Sequence, residues 1–169
     1  DLIGYNLYRA ESKTGAFTRV NADPIATNAS GTTTSYTDEG LMIAWKYYYY
    51  IKSVDSAGNE SDPSETLSVV TPGSLAENRV WKASENPFIV SGDIRIRGGA
   101  VLTLEPGVDV RFSQTDYLPD SNGATMTDLI VQGALQAEGT PDKRILFTSS
   151  ETFPKKGNWG GIKFLSTSE

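Results

Sequence analysis

The chain has 169 residues, enough for one large or two small domains, and its 38% hydrophobic content is that of a water-soluble fold. A net charge of −6, scattered rather than clustered, argues against a nucleic-acid phosphate binder. With no cysteine and no histidine, disulfides, thiolate metal sites, cysteine nucleophiles and Ser-His-Asp chemistry are excluded within these residues. No apolar run approaches the ~18 residues of a membrane span.

Nearly everything reads as β-structure. Short runs of Val, Ile, Thr and Tyr alternate with Gly, Asn, Asp and Pro clusters, and no stretch carries a helical period. Strands are predicted over 4–9, 17–20, 35–38, 46–54 and 66–71. Turn signals between them include Thr14-Gly15, Asp23-Pro24, residues 28–31, and Asp62-Pro63. Alternation assigns Tyr5, Leu7, Tyr47, Tyr49 and Ile51 to an inner face. Tyr8, Tyr48 and Tyr50 fall on an outer face, as a candidate contact patch for a protein partner. The competing reading is that tyrosine is simply favoured in half-exposed strands.

The phrases LIGYNLYR (2–9), TSYTD (34–38) and YYYYIKSVDSAGNES (47–61) occur in that order. On these residues the first 72 or so resemble fibronectin type III domains of the kind found in bacterial secreted proteins. The resemblance implies that 2–9 is the third strand of a sandwich and that the first two strands are missing. It also implies a tyrosine corner formed by Leu41 and Tyr47. An opening of that kind says nothing about export.

The grammar changes at Thr71-Pro72-Gly73. Strands are predicted over 88–90, 93–96, 101–104, 109–112, 129–132, 135–137, 145–148 and 161–165, separated by Gly- and Pro-bearing corners where a positive φ is wanted. The stretches GGAVLTLEPGVDVRF, MTDLIVQGALQAEGT and KRILFTSS…NWGGIKF repeat this strand–turn–strand pattern, as a solenoid does. The phrases LTLEPGV (102–108), LIVQGAL (129–135), EGTP (138–141) and WGGI (159–162) resemble the first coils of right-handed, pectate-lyase-like parallel β-helices of bacterial or archaeal secreted proteins. That likeness implies an N-terminal cap over 88–96, with Ile94 and Ile96 as capping residues, and further coils after the last.

The expected architecture is therefore all-β. Residues 1–73 form a partial fibronectin type III sandwich, and 74–169 form the cap and first coils of a parallel β-helix. The likeness to β-helix enzymes of acidic polysaccharides points to Asp93, Arg95, Arg97, Asp109 and Arg111. A solvated charged face is the simpler account of them.

A loop over 116–128 interrupts the repeat. Its oxygen-bearing Asp116, Asp120, Asn122 and Asp128 are calcium candidates, with a plain polar loop as the alternative and no other cofactor expected. Asp55, Asn59, Glu60 and Asp62 form a second polar cluster, best explained by turn formation, with calcium as the alternative. Trp45, Trp81 and Trp159 are read as packing residues, with sugar stacking as the alternative.

The expected function is a non-catalytic extracellular or cell-surface module, structural or adhesive. Its partners would be further copies at open β-edges, assembling a filament or surface layer, or the remainder of a longer chain. Neither nucleic acid nor a membrane span is expected. The alternatives are part of a secreted polysaccharide-active enzyme with its catalytic coils beyond 169, or a carbohydrate-binding module.

Overall fold

The computed structural model describes residues 1–27, 35–116 and 125–166. The chain forms two compact units, one made of Asp1–Leu41 and Lys46–Ser68, the other of Met42–Trp45 and Val69–Glu169. The sequence alone places a boundary near residue 73. The compact units instead divide at 68, and four residues from the middle of the first unit's sequence belong with the second.

In the first unit, β1 (Leu2–Ala10) pairs antiparallel with β4 (Lys46–Asp55), and β2 (Thr18–Arg19) and β3 (Ile25–Ala26) pair with the other edge of β1. Between β2 and β3 the ladder is interrupted. There the buried Asn21 acts as a peptide substitute: its Oδ1 accepts from the Leu7 N–H (2.7 Å), and its Nδ2 donates to Asn6 Oδ1 (3.0 Å) and to the Asp23 carbonyl (2.8 Å). The described strands of this unit make one sheet. Ile51, assigned to an inner face by alternation, is accordingly 40% exposed.

Residues 35–38, expected as a strand, have no ladder pairing. Side chains hold this stretch instead. Arg9 Nη1 donates to both oxygens of Asp38 at 2.8 and 2.9 Å, Tyr49 Oη donates to Asp38 at 2.9 Å, and Tyr36 Oη donates to the Val20 carbonyl at 3.0 Å.

The second unit contains β5 (Leu67–Val70, shared at its start with the first unit), β6 (Gly73–Leu75), β7 (Arg79–Trp81), β8 (Phe88–Val90), β9 (Ile94–Ile96) and β10 (Val101–Leu104). It continues with β11 (Asp109–Phe112), β12 (Asp128–Val131), β13 (Ala134–Ala137), β14 (Leu146–Ser149) and β15 (Gly161–Phe164). Every third strand stacks in parallel. β7, β10 and β13 form one sheet, and β6, β9, β12 and β15 another. β5, β8, β11 and β14 form the third. Each coil thus contributes one strand to each of three faces.

Period-two alternation turns one set of side chains inward, and the parallel register stacks like on like: Ile94 under Leu129 under Ile162, and Leu75 under Ile96 under Val131. Phe88, Val90, Ile94, Ile96, Leu102, Leu104, Val110 and Phe112 are at most 2% exposed and form one core.

Ile94 and Ile96 therefore are not capping residues. They lie in the interior, paired below with β6 and above with β12. Beneath the coils sits the Met42–Trp45 segment. Ala44 is fully buried and has a left-handed φ of 53°, a strained conformation for a residue with a Cβ. Three hydrogen bonds hold it there. The Ala44 N–H donates to the Thr71 carbonyl (2.9 Å), the Thr71 N–H to the Trp45 carbonyl (2.9 Å), and Trp81 Nε1 to the Ala44 carbonyl (2.8 Å).

Coil corners are tied by side chains that no motif advertised. Asn78 Oδ1 accepts from the Val101 N–H, and Asn86 Oδ1 accepts from the Asp109 N–H, each across 23 residues. Asp93 Oδ1 accepts from the Asp128 N–H across 35 residues, because the loop between β11 and β12 lengthens that coil. The same corner device survives the insertion.

Candidate functional site

The charged residues singled out on the coils sit mainly at outward or corner positions, where most are used in structure. Asp109 and Arg111 lie two apart on β11, pointing the same way, and form an ion pair at 2.7 Å. Asp93 carries the corner bond described above. Arg95 stands outward on β9, beside Ile130 of β12. Arg97 is exposed past the end of β9, and its backbone N–H bonds to the Leu75 carbonyl. These five are spread over two faces and their corners.

Of the calcium candidates, Asp120 and Asn122 lie outside the described residues. Asp116 and Asp128 are both buried. The Asp116 N–H bonds to the Thr125 carbonyl across the base of the loop. The Asp128 carboxylate receives Lys163 Nζ from β15, two positions after its register partner Gly161. It also packs against Gly160, where any Cβ would collide with it. Among the described residues no three acidic side chains group as metal ligands.

In the first unit, Tyr8 and Tyr50 are a cross-strand pair whose rings stack at 4.9 Å, and Phe17 lies 4.7 Å from Tyr50. Lys52 covers Tyr8 at 5.7 Å, and Lys46 covers Tyr48 at 5.1 Å. The three tyrosines share the predicted face, but they are half-buried and much of their ring surface is already in contact with neighbours. A sugar needs an open ring face, so these tyrosines are poor stacking platforms.

Glu60 closes this cluster. It accepts from Tyr8 Oη at 2.7 Å, from Asn6 Nδ2, and from Lys52 Nζ at 3.3 Å. The Tyr8 hydroxyl foremost, then Asn6 and Lys52, pulls its carboxyl down to about 2 from an ordinary 4.5. The same hydrogen bond pushes Tyr8 up to about 12. The contact's stabilisation is thus fully present from pH 4.5 to 10. It is lost on the acid side as pH falls from 4.5 to 2, and on the alkaline side as pH rises from 10 to 12.

We expect Glu60 to titrate near 2 when its side-chain carboxyl is followed by NMR, and Tyr8→Phe to move it back toward 4.5. A wild-type midpoint near 4.5 would remove the hydrogen bond from the account.

Asp55 is a turn residue. Its oxygens accept from the Ala57 and Asn59 N–H groups and from Asn59 Nδ2, which lowers its carboxyl, the Asn59 side chain contributing most. Half-buried Tyr49 is raised by desolvation and by its bond to Asp38.

The tryptophans pack. Trp81 is 2% exposed and stacks on Phe88 at 4.7 Å, and Trp159 stacks on Phe112 at 4.3 Å. Trp45 carries the Arg79 guanidinium over its ring at 4.7 Å.

Three parallel sheets visited in rotation, with inward residues stacked coil upon coil, define a parallel β-helix. Residues 73–169 match the pectate-lyase-like β-helix domain, and the chain belongs to that family. Similar curated proteins include the Drosophila melanogaster protein bark beetle, 35% identical over 57% of this chain and 3% of its own length. Exoglucanase B of Cellulomonas fimi is 38% identical over 41% of this chain and 5% of its own length. The amylopullulanase of Thermoanaerobacterium saccharolyticum is 39% identical over 36% and 4%. The chain therefore spans a small fraction of the relatives it matches. No solved structure matches it significantly.

No helix among the described residues is long and apolar enough to cross a membrane.

Proposed function

We propose that this chain is a non-catalytic, extracellular structural module of a carbohydrate-related protein. In this reading a β-helical segment is paired with a fibronectin type III-like unit of the secreted kind, and the two space or attach the rest of a larger assembly. One observation carries the reading: key polar groups on the coil exterior are committed to structure. Asp93, Asn78 and Asn86 tie one coil to the next, Asp109 neutralises Arg111, and Lys163 neutralises Asp128. A catalytic face keeps such groups converging on a substrate instead. The carbohydrate connection rests on relatives named as an exoglucanase and an amylopullulanase. The antiparallel β1–β4 pair, with Arg9, Tyr49 and Asp38 bonded across it, supports the fibronectin-like assignment of the first unit.

The test incubates the 169-residue protein with polygalacturonate, cellulose and pullulan. Released reducing ends and unsaturated products are measured, and retention on the insoluble polymer is assayed in parallel. The module reading expects no turnover. Turnover lost in Asp109→Asn or Arg111→Gln would replace it with the enzymatic reading. Retention without turnover would narrow it to a carbohydrate-binding module. Sedimentation at rising concentration separately tests self-assembly, which a concentration-independent monomer would exclude.

A further inference from the structure

Beneath the first coil of the second unit lies a cavity of about 250 Å³. Its apolar walls come from Met42 and Ile43 of the capping segment and from Leu75 and Ala76 at the end of β6, and Glu77 and Arg79 bring charge to it. The walls are held in place. The capping segment is pinned at Ala44 and Trp45 by the three hydrogen bonds to Thr71 and Trp81, and Leu75 is 1% exposed.

Arg79 is the reactive feature. Its guanidinium lies on the Trp45 ring, and among the described residues it makes no hydrogen bond or ion pair. Its Nε is buried and lacks an acceptor. The buried Nε–H carries a cost, because it has left water without finding a partner, while the rest of the half-buried guanidinium stays open to a ligand. Contact with the indole restrains the group, and its two Nη nitrogens form a planar fork. The ligand that matches such a fork is a carboxylate, taken through two parallel hydrogen bonds.

Glu77 on the same wall selects further. A second negative charge on the ligand would meet a like charge, so phosphates, sulfates and polyanions are disfavoured. The walls of Met42, Ile43, Leu75 and Ala76 favour an apolar body.

We propose that this cavity binds a small monocarboxylate with an apolar body, its carboxylate on Arg79 and its body against Met42 and Ile43. The site is independent of the function proposed above. A cavity below the usual ~300–1,000 Å³ of drug-sized pockets takes a ligand of fragment size. Affinities for such ligands fall in the millimolar to high micromolar range.

Two sources offer this chemistry, a free short-chain acid or the C-terminus of a peptide ending in an apolar residue. Hexanoate and N-acetyl-leucine stand for them. The experiment titrates the 169-residue protein with each and follows backbone amide signals by ¹H–¹⁵N NMR. The expected result is saturable shifts confined to residues 42–45 and 74–79. Hexanol and hexylamine are expected to bind about tenfold or more weaker. The tighter of hexanoate and N-acetyl-leucine identifies the source.

Arg79→Met keeps an apolar stem over Trp45 and removes the fork, and is expected to weaken hexanoate about tenfold or more. Glu77→Gln removes the like charge at an exposed side chain and is expected to tighten hexanoate about two- to threefold. Equal binding of hexanol and hexanoate, or unchanged affinity in Glu77→Gln, would overturn the proposal. The second criterion stands even if Arg79→Met fails to fold.

Discussion

Replacing Trp81 by alanine is expected to destabilise the β-helical unit by about 3–5 kcal/mol. The side chain is 2% exposed and stacks flat on Phe88, 11° from parallel. Its removal deletes a large buried surface and leaves a cavity that rigid strands β7 and β10 cannot close. A separate contribution comes from the indole N–H, which donates to the Ala44 carbonyl at 2.8 Å. Trp81→Phe keeps most of the packing and orphans that carbonyl, for an expected cost of about 1–3 kcal/mol.

Urea unfolding followed by far-UV circular dichroism reads both, since the unfolding midpoint is set by loss of the backbone signal, to which the deleted indole adds only a part. The transition assigned to the β-helical unit is the one that should move. A Trp81→Phe midpoint equal to wild type would mean that the capping segment is not anchored through Ala44.

Gly133→Ala is expected to be at least as damaging as Trp81→Phe, for a different reason. Gly133 sits at the corner between β12 and β13, and its N–H bonds to the Ile96 carbonyl of the coil below. A Cβ there would occupy the space of the Arg97 and Ala100 carbonyls. Backbone atoms cannot swing aside as a flexible side chain can, so the corner must lift and the ladder above it must shift. Overpacking of this kind costs about 1–3 kcal/mol and occasionally more.

Gly99→Ala is the control. It also lies at a corner, with φ of 88°, but nothing stands within 4 Å of an added Cβ. Only left-handed strain arises there, about 1 kcal/mol. Equal losses from the two substitutions would show that conformation, and not coil-to-coil contact, governs these corners.

Most of the β-helix is legible in the amino-acid sequence. Runs such as 101–104 and 109–112 coincide with β10 and β11, because inward Leu and Val alternating with outward polar residues bury one face only when the chain is extended. The repeated corner phrases place the strands in coils. The loop over 116–128 is recognisable as an interruption, and in the fold it becomes the wider spacing at the Asp93–Asp128 corner. The cluster of Tyr8 with Tyr50 follows from alternation on β1 and β4, since directly opposite residues share a face.

Other features have no sequence signature. Asn78 and Asn86 each precede a turn or strand, where asparagine is ordinary, and nothing local says that its side chain reaches an N–H 23 residues away. Residues 35–38 carry strand-like Tyr and Thr but are held by Asp38 and Tyr36 side chains, because Arg9 and Tyr49 offer a charge-assisted partner in place of a ladder.

By itself, then, the sequence determines the all-β class and the coil strands from β8 onward, but not β5, β6 and β7 of the first coil, since the former depend on period-two burial and corner chemistry within a few residues. Tertiary structure alone decides that Ile94 and Ile96 lie inside while Met42–Trp45 cover the coil end. It also decides that Arg79 lies over Trp45 beside a cavity, and that the coil-facing carboxylates serve as ties. Those outcomes depend on which residues far apart in the chain meet when coils stack, a contact set by register and not by any local preference.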